Sequence, residues 1–270
     1  MSIARAIILG IVQGLTEFLP VSSSGHLVLL QKVFNINQSD LFFDTMLHFG
    51  TLLAVFVVLW KDIWEILKKP FQRLTFFLIL ATIPAVIAAL AFKNSIEEIF
   101  NSARLLGWCF LITTVLLVTA ELLSRRAASN NQKKAESVNW LDALIIGIAQ
   151  AIAIPPGISR SGATISGALF RGLDRDFAAR FSFLLSIPAI LGAVILQMKD
   201  LLKDGAARGT ESAGLAAVTA GTITAALVGF FAVKSMLKII REKSLFGFAI
   251  YTGVLGALIL FDQYVTRVVF

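Results

Sequence analysis

Long apolar blocks decide what class of structure this chain can adopt. Residues 74–92, 105–123 and 214–233 carry almost no charge, and weaker blocks run over 41–60, 180–198 and 246–261. Each approaches the roughly 20 residues a helix needs to cross the hydrocarbon core of a bilayer. Backbone groups find no water there, so such blocks fold as helices. Six transmembrane helices are expected, enough to enclose a site. A soluble domain is excluded: 57% of the residues are apolar and only 15% charged, too few to cover a water-facing surface. The net charge of +7 does not mark a nucleic-acid partner, because the Lys and Arg residues lie in loops between blocks, where they set topology. Cys109 has no partner cysteine, so it reads as packing and no disulfide framework is expected. The first apolar run leads into Glu17 and a Pro-Val-Ser-Ser-Ser-Gly-His stretch, not a small-residue cleavage site, so no signal peptide is expected.

The chain repeats itself. Ala6-Ile-Ile-Leu-Gly-Ile-Val-Gln13 matches Ala143-Leu-Ile-Ile-Gly-Ile-Ala-Gln150, and at the same offset of 137 Ser22-Ser-Ser-Gly25 falls on Ser159-Arg-Ser-Gly162. Trp60-Lys61-Asp62 then aligns with Met198-Lys199-Asp200 after a one-residue shift, and Leu106-Gly107-Trp108 with Phe246-Gly247-Phe248 further on. Shared Gln, Gly and Ser-x-Ser-Gly positions at one offset are not what chance similarity between apolar segments produces. The expected organisation is a single membrane domain over 1–270: a first repeat 1–123 with a hairpin over 3–34, a cytoplasmic linker 124–139, and a second repeat 140–270 with a hairpin over 140–172.

The hairpins differ from ordinary spans. Residues 3–18 and 140–154 are short for a crossing, and each ends at proline (Pro20; Pro155 and Pro156) before a Ser/Gly segment and a second apolar stretch. That pattern reads as a re-entrant helix–loop–helix, tolerated at membrane depth where it lines a wet cavity. Three spans per half is an odd number, so the second half is expected to insert upside down. Loops 61–73, 124–139, 171–180 and 234–245 hold fifteen Lys and Arg residues against eight on the other side. The excess places those loops in the cytoplasm and both termini outside. The fold class expected is therefore an all-α polytopic membrane protein, an inverted-topology repeat of six transmembrane helices plus two re-entrant hairpins that meet near the midplane.

Polar residues concentrate in the hairpins. Gln13 and Glu17 lie four apart, on one face of a helix, and a carboxylate in the membrane is a functional candidate by default. Ser22, Ser23, Ser24 and His26 follow, offering a nucleophile and a base in one loop, with at least one serine expected as a helix cap. In the second hairpin Arg160 stands between Ser159 and Ser161, beside Gly162 and ahead of Thr164, at the start of a helix. A helix N-terminus and an arginine together make an anion site. Asp44 and His48, at i and i+4 in a span, read either as cavity lining or as structural bridges. Arg180 reads as a topology charge or a snorkelling side chain, Gln150 as a hydrogen-bonded core residue, and Tyr251 and the Trp residues as interfacial anchors.

Gln13-Gly-Leu-Thr-Glu17, followed by Phe-Leu-Pro-Val-Ser-Ser-Ser-Gly-His26 and joined by Pro156-Gly-Ile-Ser-Arg-Ser-Gly-Ala-Thr164, resembles the signature of bacterial undecaprenyl-pyrophosphate phosphatases, the bacitracin-resistance proteins. The likeness extends over essentially the whole chain, including its duplication. The first motif of that family accepts Glu or Gln at its first position, and this chain has Gln13, which cannot fill any role that needs a carboxylate. The resemblance implies an integral membrane hydrolase that converts undecaprenyl (C55) diphosphate to the monophosphate carrier of cell-wall peptidoglycan synthesis, and so confers bacitracin resistance. It implies a site on the outer face of the bacterial cytoplasmic membrane and a divalent cation, Mg²⁺ or Ca²⁺, with Glu17 as its candidate ligand. Carried onto these residues, Arg160, Ser159, Ser161 and the amides around Gly162 hold the diphosphate, with Gln13, Ser22, Ser24 and Thr164 as further binding candidates. Ser23 or a water is the nucleophile, His26 its base or itself the nucleophile, and Glu17 orients that group. A lipid-carrier or small-solute transporter stays open, because inverted repeats with paired hairpins are also transporter architecture. The partners expected are the lipid substrate and membrane lipids; apolar faces serve lipid and a second copy equally, so a homodimer also stays open.

Overall fold

A computed structural model describes residues 1–36, 41–128, 133–204 and 214–270. Among the described residues the chain is helical, with one isolated bridge between Lys133 and Leu173 as its only extended pairing. The first half contains α1 (Ile3–Thr16), α2 (Ser23–Val33), α3 (Leu41–Val58), α4 (Trp60–Lys68), α5 (Arg73–Ala91), α6 (Lys93–Ser102) and α7 (Leu106–Ala128). The second contains α8 (Trp140–Ile152), α9 (Arg160–Phe170), α10 (Arg175–Asp204), α11 (Leu215–Glu242) and α12 (Phe246–Phe261). Among the described residues five helices are long and apolar enough to cross a membrane, and α3 with α4 makes a sixth if the bent pair counts as one span. This is a multi-pass membrane protein.

Several boundaries differ from those expected. The span over 41–60 bends by 78° before α4, because α4 is amphipathic: Ile63 is buried, while Trp60 and Trp64 stack on its outer side with ring centroids 5.5 Å apart. Such a helix is more stable lying along an interface than continuing through the apolar layer. The block over 180–198 is the middle of α10, which begins at Arg175. The linker expected from residue 124 starts later, since α7 runs to Ala128; residues 129–132 of it lie outside the described residues. The helix α6, with Ile96 and Phe100 between Lys93, Glu97 and Glu98, has too little apolar length to be read as a span.

The two short helices are 14 and 13 residues long, about 20 Å at 1.5 Å per residue. Ser2 caps α1, and Asn139 with Asp142 forms a capping box on α8. Each short helix packs along a long helix of the other half, α1 on α11 and α8 on α5. Glycine makes both contacts close. A Cβ on Gly10 would sit 2.5 Å from the Gly221 carbonyl oxygen, and one on Gly147 would sit 2.5 Å from that of Ala81. In lipid, where burial in apolar surroundings drives little, such backbone approach is what holds helices together. Ile79, Ile83, Val86 and Ile87 of α5 and Ile250, Val254 and Leu258 of α12 stay exposed, as a lipid-facing surface requires.

Ion pairs gather at one end of the bundle. Asp142, fully buried, accepts from Arg171 at 2.6 Å and Lys133 at 3.2 Å. Glu121, at the end of α7, accepts from Arg125 at 2.8 Å, from Arg175 of α10 and from the Leu245 amide at 3.0 Å. Arg180, expected to be a topology or snorkelling charge, instead bridges Asp62 at 3.1 Å and Asp176 at 3.2 Å. Its reach across α4 and α10 is a tertiary fact that no local pattern reveals.

Candidate active site

The two helix pairs, α1 with α2 and α8 with α9, meet at their connecting turns. Ser22 takes a φ of 68°, rare outside glycine, and the contacts it makes explain the strain. Its Oγ accepts from the Gly25 amide at 3.3 Å, capping α2, and from the Gly157 amide of the other turn at 3.1 Å. Gly157 itself has a φ of 97°, which an L side chain rarely adopts. Gly25 lets the turns touch: a Cβ there would lie 2.8 Å from Gly157 Cα and 2.7 Å from Phe110 Cζ. Thr113 of α7 clamps the second turn, donating to the Gly157 carbonyl at 2.9 Å and accepting from the Ser159 amide at 3.0 Å.

This juxtaposition brings Glu17 and Arg160 together. Arg160 Nη2 donates to Glu17 Oε1 at 2.8 Å, and Ser23 Oγ donates to Glu17 Oε2 at 2.5 Å. Gln13 Nε2 donates to the same Oε2 at 2.8 Å from behind, and His48 Nε2 of α3 stands 3.5 Å from it. Glu17 is 5% exposed, which leaves it reachable through the cavity alone. That cavity, of about 670 Å³, has Glu17, Ser22, Ser23, Ser24, Asp44, His48, Ser159 and Arg160 on its polar side. Ile154, Ile158, Ile190 and Val194 make the apolar wall, and Ile96, Glu97 and Phe100 of α6 flank it.

Other expected site residues serve the scaffold. Ser159 caps α9 through the Gly162 amide at 3.0 Å, so that amide is already bonded. Ser161 Oγ donates to the Leu19 carbonyl at 3.0 Å, and Thr164 Oγ1 pairs with Ser182 Oγ at 2.6 Å. His26 has both ring nitrogens engaged, Nδ1 with the Ser22 carbonyl at 2.7 Å and Nε2 with the Tyr251 hydroxyl at 2.7 Å. A carbonyl only accepts, so Nδ1 carries the proton and Nε2 accepts from the tyrosine. Ser23 is thus bonded to Glu17, and His26 is turned to the other side. Tyr251, expected at an interface, stacks on His26 with rings 4° from parallel. Gln150, expected to be hydrogen-bonded, has neither side-chain polar atom paired among the described residues although it is 3% exposed.

The residues that sequence reasoning passed over are Thr113, Ser182, Gln31 and the Tyr251 hydroxyl. Gln31 Nε2 donates to both Asp44 oxygens, at 2.9 and 3.0 Å. Each lies on a different element from the residue it fixes, 13 residues away for Gln31 and Asp44 and 225 for Tyr251 and His26, and Gln31 carried a local signal as a polar residue in an apolar helix. The residues do not fit a cation cage of the chain's own. Among the described residues no three His, Cys, Asp or Glu side chains group together. The Glu17 oxygens are already met by an arginine, an amide and a hydroxyl.

The family model described as bacitracin resistance protein BacA matches residues 6–258. The undecaprenyl-diphosphatase of Carboxydothermus hydrogenoformans is 46% identical over 263 residues, covering 97% of this chain and 98% of its own. Undecaprenyl-diphosphatase 3 of Bacillus cereus is 47% identical over 264 residues, 98% of each chain. The undecaprenyl-diphosphatase of Halothermothrix orenii is 43% identical over 262 residues, 96% of this chain and 98% of its own. With its motifs joined in one buried site and its relatives matched nearly end to end, the chain belongs to the BacA family of bacitracin-resistance proteins.

Proposed function

We infer that the chain is a membrane phosphatase that hydrolyses undecaprenyl diphosphate to undecaprenyl phosphate and inorganic phosphate. The observation that carries this reading is the Glu17–Arg160 pair at the polar side of a cavity with an apolar wall. An amphipathic substrate with an anionic head and a greasy tail matches that division. Arg160 is half-held: beyond Glu17, among the described residues, its Nη1 reaches the Ser182 carbonyl at 3.5 Å. A terminal phosphate offers the guanidinium a bidentate partner and draws it off Glu17. Freed of the arginine, Glu17 gains basicity beside the Ser23 hydroxyl that already donates to it. Ser23 Oγ then attacks the terminal phosphorus with Glu17 as base, and Arg160 stabilises the charge building on the phosphoryl oxygens. The Ser24 and Ser159 hydroxyls stand along the same wall, and the tail runs past Ile154, Ile158 and Val194. A nucleophile held on a carboxylate has no task in a transporter.

The site opens to the outer face of the bacterial cytoplasmic membrane. Two observations support this. The ion-pair end of the bundle coincides with the loops that carry the Lys and Arg excess, the cytoplasmic side under the positive-inside rule. The cavity is flanked by α6, which follows α5 at its far end. An inverted repeat with two re-entrant hairpins explains why Gly10 and Gly147, equivalent under the offset of 137, meet the carbonyls of Gly221 and Ala81 in the same way. The test is phosphate release from undecaprenyl diphosphate by the purified protein in detergent, with Arg160→Ala and Glu17→Gln beside it. Release by the wild type and loss of nearly all of it in both variants supports the assignment. No release from folded wild-type protein would overturn it.

A further inference from the structure

Among the described residues, Gln13, Ser23, His48 and Arg160 touch or face the Glu17 carboxylate. Of these only an imidazole exchanges a proton readily near neutral pH. Gln13 has no proton to trade, a serine hydroxyl is too weak an acid, and arginine stays charged. The other histidine, His26, has both nitrogens committed and faces Tyr251. His48 is differently placed. Its Nδ1 is bonded to the Asp44 carbonyl of its own helix at 2.8 Å, which puts the proton of the neutral ring there. Its Nε2 is left as a free acceptor, lining the cavity 3.5 Å from Glu17 Oε2.

We propose that His48 is the proton-transfer residue of the hydrolysis, taking the nucleophile's proton through Glu17 and delivering it to the departing phosphate. The proposal rests on the phosphatase reading above. In the first half-reaction the Ser23 Oγ–P bond forms and the bridging P–O bond breaks. The Ser23 proton passes to Glu17 Oε2, then to His48 Nε2, and the imidazolium gives it to the oxygen of the leaving undecaprenyl phosphate. In the second half a water attacks the phosphoserine. One of its protons returns through the same pair to Ser23 Oγ as that P–O bond breaks, and phosphate departs with the other. An unprotonated His48 Nε2 is needed at the start of each turnover, because only then can it accept the proton arriving from Glu17.

The charged groups around His48 are few. Glu17 faces it from the first turn, with Arg160 of α9 behind that carboxylate; Asp44 lies one turn back on α3, and Glu97 of α6 shares the cavity. From α10 the cavity wall is Ala189, Ile190, Ala193 and Val194, and α11 meets α3 with Gly221, Ala225 and Gly229. None of these titrates. The side chain is 28% exposed into the cavity, so its replacement leaves packing nearly intact.

The experiment is the pH–rate profile of phosphate release from undecaprenyl diphosphate for wild type, His48→Gln and His48→Ala, with and without added imidazole. We expect kcat to fall about 100-fold in both variants, the usual share of one acid–base group. The pH–rate profile changes shape in both variants, and imidazole restores part of the rate to His48→Ala but not to His48→Gln. Full activity in His48→Gln with an unchanged profile would overturn the proposal and leave the phosphatase reading standing. An inactive wild type would overturn that reading itself.

Discussion

Substituting Gly25 by alanine probes the contact on which the site depends. The added Cβ would lie 2.8 Å from Gly157 Cα and 2.9 Å from Gly157 N, where ordinary contact starts at 3.4 Å. Both of these neighbours are backbone, and Gly157 is pinned by Thr113 and Ser22; the third, Phe110 Cζ at 2.7 Å, belongs to a fully buried ring with little room to move. The turns must separate by roughly 0.6 Å or more, which carries Glu17 away from Arg160 across the same seam. Overpacking of this kind costs about 1–3 kcal/mol of stability. Activity is hit harder, because displacing catalytic groups by about 1 Å costs on the order of 100-fold. We therefore expect a kcat for phosphate release about 100-fold below wild type, with a melting temperature in detergent only a few degrees lower. Gly247→Ala, where nothing lies within 4 Å of the new Cβ, is the matched control and should behave as wild type. If Gly25→Ala kept wild-type turnover, the seam between the turns would not be what aligns the site.

Two further substitutions separate scaffold from chemistry. Tyr251→Phe removes the donor to His26 Nε2 and should cost about 1 kcal/mol in thermal unfolding; because His26 supports the Ser22 turn, turnover should fall with little change in pH profile. Asp142→Ala leaves Arg171 and Lys133 without their shared partner, but both reach solvent, so unfolding should show a loss of about 1–3 kcal/mol, while the folded fraction keeps its turnover per molecule.

The membrane class, the spans and the hairpin motifs were legible because each depends on neighbours in sequence. An apolar block of span length reads the same in any context, and Ser22 and Ser159 cap the helices that follow them. Glu17 and Arg160 were legible as charged residues in apolar surroundings, although their mutual contact joins positions 143 apart. What stayed hidden depends on helix pairing across the two halves. Tyr251 is 225 residues from His26 and looked like any aromatic near a membrane surface. The bend before α4 is set by how its amphipathic side meets its surroundings. Arg180 looked like a topology charge because the carboxylate that claims it, Asp62, lies on a helix read as loop.

The pairing of α1 with α11 and of α8 with α5 has a consequence for how the protein is made. The last residue of α1 is Thr16 and the first of α11 is Leu215, so α1 is synthesised long before the surface it packs on exists. At about 5–20 residues per second that interval is roughly 10–40 s, during which Gly10 and Gly14 have no α11 surface to pack on. α8 meets no such delay, since α5 precedes it in the chain. The half of the site that holds Arg160 is therefore the first that can dock. The carboxylate half, tethered but without the helix it packs along, waits until α11 has been made.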